Sequence, residues 1–199
     1  YGGNFMRRLW ITGYRSYDLS TFRDDDPKIT VIKHVLKQRL TSLLDEDNDE
    51  FWVITGPQLG VEQWVAGLAV DLRKDYHQLK AALMLPYADF SSRWNADNQR
   101  KLADLRQRVN FSKEVTAKPY ESPDQLRLYQ QFMLSHTDRL LMVYDPDHPG
   151  KPKYDYQAAQ HFSNRQNYPV DLIDFDELQE AAIEWSEAER ERKLAERGF

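Results

Sequence analysis

Two glycine-bearing turns, each directly behind a short apolar run, hold the residues of this chain best suited to chemistry. Leu9-Trp10-Ile11 leads into Thr12-Gly13-Tyr14-Arg15, and Phe51-Trp52-Val53-Ile54 leads into Thr55-Gly56-Pro57-Gln58-Leu59-Gly60-Val61-Glu62. A strand that ends in glycine and opens a helix gathers backbone N–H groups and the positive end of a helix dipole. Phosphates and carboxylates bind at such places. Gly13 and Gly56 would let the backbone bend or approach a ligand without a Cβ in the way, and Gly60 would leave the next N–H groups accessible. Thr12 and Thr55 offer hydroxyls, and Arg15 offers a forked donor for phosphate. Glu62, in the first helical turn, can accept from a ribose hydroxyl or act as a base. Neither turn has G-x-G-x-x-G spacing or a Walker lysine, so turn geometry alone is the competing explanation of each glycine. A shared site requires the two turns to meet on one edge of one sheet.

A second layer of residues has the right address without diagnostic spacing. Tyr14, Tyr87 and Trp94 follow strand ends or begin the next helix, where a ring can stack on a base or simply pack. Gln130 interrupts an apolar helix face, Tyr144-Asp145 ends a strand, and Lys153 follows a proline-rich loop. The histidines (His34, His77, His136, His148, His161) show no metal-like spacing and read as surface or cap residues. Nucleophile elbow, H-E-x-x-H and EF-hand patterns are absent.

The elements that must position these residues alternate along the chain. Strands are expected at roughly 8–13, 51–56, 80–86, 109–115, 139–145 and 169–174, with helices near 27–45, 60–76, 92–107, 123–136, 154–166 and 176–196. Such alternation argues for an α/β fold with a mostly parallel sheet covered on both faces. Val61, Trp64, Val65, Leu68, Ala69 and Leu72 form one helical stripe behind the second turn. Pro27 behind Asp24-Asp25-Asp26, and Ser122-Pro123-Asp124, read as helix starts. The loop from Pro146 to Pro152 is expected to lie over the carboxyl edge of the sheet. A single domain over residues 6–199 follows, ending in a charged helix at about 176–197, and Tyr1 to Phe5 read as an addition ahead of a natural Met6.

Composition narrows the function classes. The chain has no cysteine, which excludes disulfides and thiolate chemistry and suits a cytoplasmic location. A formal charge of −5 disfavours nucleic acid as a partner. No run approaches the length of a membrane span. No resident metal or cofactor is expected beyond a nucleotide-type ligand.

Thr12-Gly13-Tyr14-Arg15 with Leu19 and Phe22, and Gly56 to Glu62, resemble the YpsA family of Firmicute proteins. Pro86-Tyr87, Pro119 to Pro123, Tyr144-Asp145-Pro146 and Lys153-Tyr154 share the likeness, which runs from Met6 to about Asp176. That family looks like a branch of the SLOG superfamily, named for DNA-processing protein A and the LOG cytokinin-activating enzymes. The resemblance implies a Rossmann-like three-layer α/β/α sandwich and a site for a nucleotide or an ADP-ribose-like ligand. It also implies a loose link to cell division and stress responses. LOG enzymes carry P-G-G-x-G-T-x-x-E after a later strand. Here Tyr144-Asp145-Pro146-Asp147-His148-Pro149-Gly150 stands in its place, without the glycine pair or the glutamate, so phosphoribohydrolase activity is not implied. Gln130 stands where the family pattern suggests asparagine.

Three functions follow as expectations. The first is a ligand-binding or sensing protein that changes its contacts with a protein partner when occupied. Its rival is a ribosyl-bond hydrolase or transferase using Glu62. Single-strand DNA binding rests on fold analogy alone and is opposed by the charge.

Overall fold

Strand segments such as Ala81 to Leu85 and Leu140 to Tyr144 are buried on consecutive positions, as expected for strands covered on both faces. The computed structural model describes residues 6–198, and the reading of Tyr1 to Phe5 lies outside the described residues. In chain order the elements are β1 (Arg7–Gly13), α1 (Pro27–Leu44), β2 (Phe51–Thr55), α2 (Val61–Leu72), β3 (Leu79–Tyr87) and α3 (Ala96–Arg108). They continue with β4 (Phe111–Thr116), α4 (Asp124–Ser135), β5 (Arg139–Val143), α5 (Lys153–Ser163), β6 (Val170–Ile173) and α6 (Phe175–Glu196). The strands form one sheet in the order β4-β3-β2-β1-β5-β6, and every neighbouring pair is parallel.

The helices separate into two layers. On one side α1 packs against α2 and α6, and α2 against α3; on the other α4 pairs with α5. This is a Rossmann-like three-layer α/β/α fold. Trp10, Ile11, Leu36, Leu40, Leu83, Met133, Leu140 and Met142 fill its interior. The chain winds outward from β1 to β4 and then places β5 on the other side of β1, so the winding direction reverses between β1 and β5. Gly13 pairs in register with Val143 at that point. A Cβ on Gly13 would lie 2.7 Å from the Val143 carbonyl oxygen, which is why the position has no side chain.

Helix starts follow local chemistry. Asp26 accepts from the Lys28 amide ahead of Pro27. Ahead of α4, Ser122 accepts from the Asp124 amide while the Gln125 side chain reaches back to accept from the Ser122 amide. α3 begins at Ala96, later than its periodicity suggests, because the Asn95 side chain caps Asn98 and ends the preceding turns there. Trp94 therefore lies in the connection and not on the helix. α6 docks on α1 through the Arg39–Glu177 ion pair and the Trp185 ring beside His34, and its charged end is exposed.

Candidate functional site

Because β1 and β2 are neighbours, the two glycine turns leave the sheet side by side. They are bonded together. The Thr12 hydroxyl donates to Glu62 Oε2 at 3.0 Å, the Thr55 hydroxyl to the Ile11 carbonyl at 2.7 Å, and the Ser16 amide to the Leu59 carbonyl at 2.9 Å. Gly60, at φ 122°, packs so closely that a Cβ would lie 2.5 Å from the Tyr14 carbonyl oxygen.

This closeness corrects one expectation. Three of the amides behind Gly60 are not left accessible: Val61 donates to the Tyr14 carbonyl, Gln63 to that of Gln58 and Trp64 to that of Gly60. The Gln58 amide is held at 3.0 Å by Glu62 Oε1. Glu62 folds its own carboxylate back onto the loop and takes the place that an anion would occupy.

Next to this knot lies a cavity of roughly 350 Å³ over the carboxyl ends of the strands, a size suited to small ligands. Its buried end holds Arg15, Glu62, Tyr129 and Asp155. Arg15 Nη1 donates to the Gly13 carbonyl at 3.0 Å, and Nη2 lies 4.0 Å from Asp155 Oδ2, with both side chains nearly buried (13% and 12% exposed). Gln130 Nε2 donates to the other Asp155 oxygen at 2.7 Å. Pro57, Gln58 and Pro86 form walls, while Tyr17, Leu126, Lys151 and Tyr154 stand exposed around the mouth.

Burial sets the electrostatics of this end. It raises the proton affinity of Glu62, which Arg15 only partly offsets, and Asp155 adds to the rise. Asp155 is raised by burial likewise, against the pull of Arg15 and Gln130. Burial works against the Arg15 charge, yet Glu62 and Asp155 outweigh it and hold the guanidinium protonated. Tyr129 is pushed well above the phenol range by burial, with Glu62 and Asp155 contributing, so it stays a neutral hydroxyl.

Residues 9–178 match the family model described as YspA SLOG family. The chain belongs to this YpsA SLOG family. Among its relatives, a UPF0398 protein of Limosilactobacillus reuteri is 53% identical over 187 residues, covering 94% of this chain and 98% of the relative. One from Lactiplantibacillus plantarum is 52% identical over 182 residues, covering 92% and 95%, and one from Lactobacillus helveticus 50% over 191, covering 96% and 100%.

Of the residues singled out in this YpsA SLOG chain, Arg15, Gln58, Glu62 and Gln130 line the cavity, with Thr12, Gly13 and Gly56 directly behind them. Thr55 and Gly60 bind the turns to each other. Tyr14 and Tyr144 lie instead in the crevice between β1 and β5. The Tyr14 ring packs on Tyr144 and Phe175, and its hydroxyl accepts from the Asp145 amide at 2.9 Å and donates to the His148 carbonyl at 2.7 Å. Burial pushes the Tyr14 hydroxyl up to about 12. The Asp145 carboxylate accepts from the Phe175 amide at the start of α6. Tyr87 and Trp94 join Phe90 and Tyr120 in an aromatic row beyond Pro86, and the Lys153 ammonium sits over the Tyr154 ring. Sequence reasoning did not assign Asp155, Tyr17, Tyr129 or Lys151 to the site, while Tyr154 follows the proline-rich loop with Lys153, at the right address but without diagnostic spacing. An acidic residue in a first helical turn is ordinary, so Asp155 carried no signal until α5 was placed beside α4. Among the described residues, no group of three or more His, Asp or Glu is arranged to hold a metal ion, and no helix is long and apolar enough to cross a membrane.

Proposed function

We propose that this protein binds and senses a nucleotide or nucleotide-derived ligand of the ADP-ribose type, and that occupancy changes its contacts with a protein partner. The observation that carries this reading is Arg15 beside the buried Asp155 carboxylate, with buried Glu62 lining the same end of a cavity whose mouth bears Tyr17, Tyr154 and Lys151. Carboxylates accept from ribose hydroxyls, an ammonium group attracts phosphate, and phenol rings offer a face to a base. One domain working in the cytoplasm, in a pathway of cell division or stress, fits the family. Calorimetry with a panel of adenine nucleotides and ADP-ribose tests it. Binding should appear for at least one ligand and weaken in Gly56→Ala, whose Cβ would lie 2.3 Å from the Tyr129 hydroxyl oxygen. Equal heats in wild type and variant, or none from any ligand, would refute it.

A second reading, hydrolysis or transfer at a ribosyl bond, draws on the raised proton affinity of Glu62 beside the cavity. Both Glu62 oxygens already accept hydrogen bonds, which suits binding better than proton transfer. Chromatography of nucleotides incubated with concentrated protein separates the two, since only an enzyme releases free base.

A further inference from the structure

We infer that the buried end of the cavity receives the vicinal hydroxyls of a terminal sugar, and that the ligand's phosphates stay at the mouth beside Lys151. This rests on the nucleotide-type reading above and adds the direction in which the ligand lies.

Four of the amides that could draw phosphate inward are already used. Gln58 donates to Glu62, and Val61, Gln63 and Trp64 donate to backbone carbonyls. At the buried end two carboxylates face one guanidinium, so with all three ionised the local charge is −1, and a phosphate brought there meets net repulsion. The groups present ask for a partner that both donates and accepts. Glu62 and Asp155 accept, whereas Arg15 donates and keeps N–H groups beyond the one spent on Gly13. A sugar hydroxyl does both; a phosphate dianion only accepts. Neighbouring hydroxyls of one ring can serve Glu62 and Asp155 together, because both carboxylates line the same end of the cavity. Lys151 stands exposed at the mouth with no side-chain ion pair among the described residues. It is the cation best placed for the phosphates.

The sign of one substitution separates this orientation from its reverse. Titration calorimetry with ADP-ribose, whose outer ribose has a free diol, should show binding weakened about tenfold to a hundredfold by Glu62→Gln and by Asp155→Asn, as expected for loss of a hydrogen bond to a charged acceptor. Lys151→Ala should weaken ADP-ribose while leaving adenosine unchanged, and millimolar inorganic phosphate should not displace adenosine. Thermal melts of each variant establish that it is folded. If Glu62→Gln fails to fold, Asp155→Asn and Lys151→Ala decide the matter. Tighter ADP-ribose or phosphate binding in Glu62→Gln or Asp155→Asn would place the anion inside and overturn the orientation alone. Unchanged affinity in both carboxylate variants would do the same. Failure of every nucleoside, nucleotide and ADP-ribose probe to bind would overturn both this inference and the reading beneath it.

Discussion

Thr12 and Glu62, 50 positions apart in the chain, share a buried hydrogen bond of 3.0 Å that joins the end of β1 to the first turn of α2. It is one of two that hold the Glu62 carboxylate, the other coming from the Gln58 amide. Thr12→Val keeps the shape and removes the donor. The variant should lose about 1.5–3 kcal/mol in urea unfolding, the range for a hydrogen bond to a charged group. A loss below the error of the measurement would show that Thr12 does not hold Glu62.

Glu62→Ala should be far more damaging than Glu62→Gln. Alanine leaves the Thr12 hydroxyl and the Gln58 amide without their acceptor in a buried site, at a cost of about 1–3 kcal/mol for each group left unsatisfied. Glutamine keeps an acceptor oxygen and removes a buried charge, so its cost should stay under about 1.5 kcal/mol. Denaturant midpoints of the two variants, compared at one pH, check the order.

The same carboxylates should leave a mark on the pH dependence of stability. Glu62 and Asp155 hold their protons more tightly in the folded protein than in the unfolded chain, because burial disfavours the charge. Their contribution is therefore complete below the ordinary carboxyl range and is lost as pH rises from there through their elevated values. Glu62→Gln and Asp155→Asn cannot ionise and escape this loss. The stability of each variant relative to wild type should accordingly rise between about pH 4 and pH 7. A difference that is flat or falls with pH, in urea titrations across that window, would contradict the assigned direction.

Gly56→Ala tests the packing around the carboxylate. Its Cβ would lie 2.3 Å from the Tyr129 hydroxyl oxygen and 2.7 and 2.8 Å from the two Glu62 oxygens. Overpacking of this kind costs about 1–3 kcal/mol. Adding Tyr129→Phe removes the nearest obstructing atom, so the double variant should recover part of the loss, seen as a positive coupling in a double-mutant cycle.

Tyr14→Phe should loosen the loop after β5 while leaving the sheet intact. The lost hydroxyl bridges the Asp145 amide and the His148 carbonyl. Hydrogen exchange should quicken over Asp145 to His148 first, with a global loss of about 1–2 kcal/mol. Uniform change across the protein would argue against a local latch.

The strand–helix alternation, the doubly covered strands and the family were legible in the order of residues, because periodicity and glycine turns are local properties of the chain. Leu140 to Tyr144 announce a buried strand without any knowledge of neighbours, and Ser122-Pro123-Asp124 announces a helix start. Gly56 and Glu62 were legible too, as a turn and a first-turn acid. Their use was not. That Glu62 turns back to occupy the Gln58 amide depends on Thr12 arriving from β1 and Tyr129 from α4, contacts that exist only once the sheet order is set. Asp155 is the clearest case, since its place beside Arg15 arises from packing α5 against α4 across the reversal between β1 and β5. Local sequence specifies which elements form, through backbone geometry and the spacing of apolar side chains. The charges that face one another at the end of a cavity come from elements distant in the chain, and only their packing in three dimensions decides it.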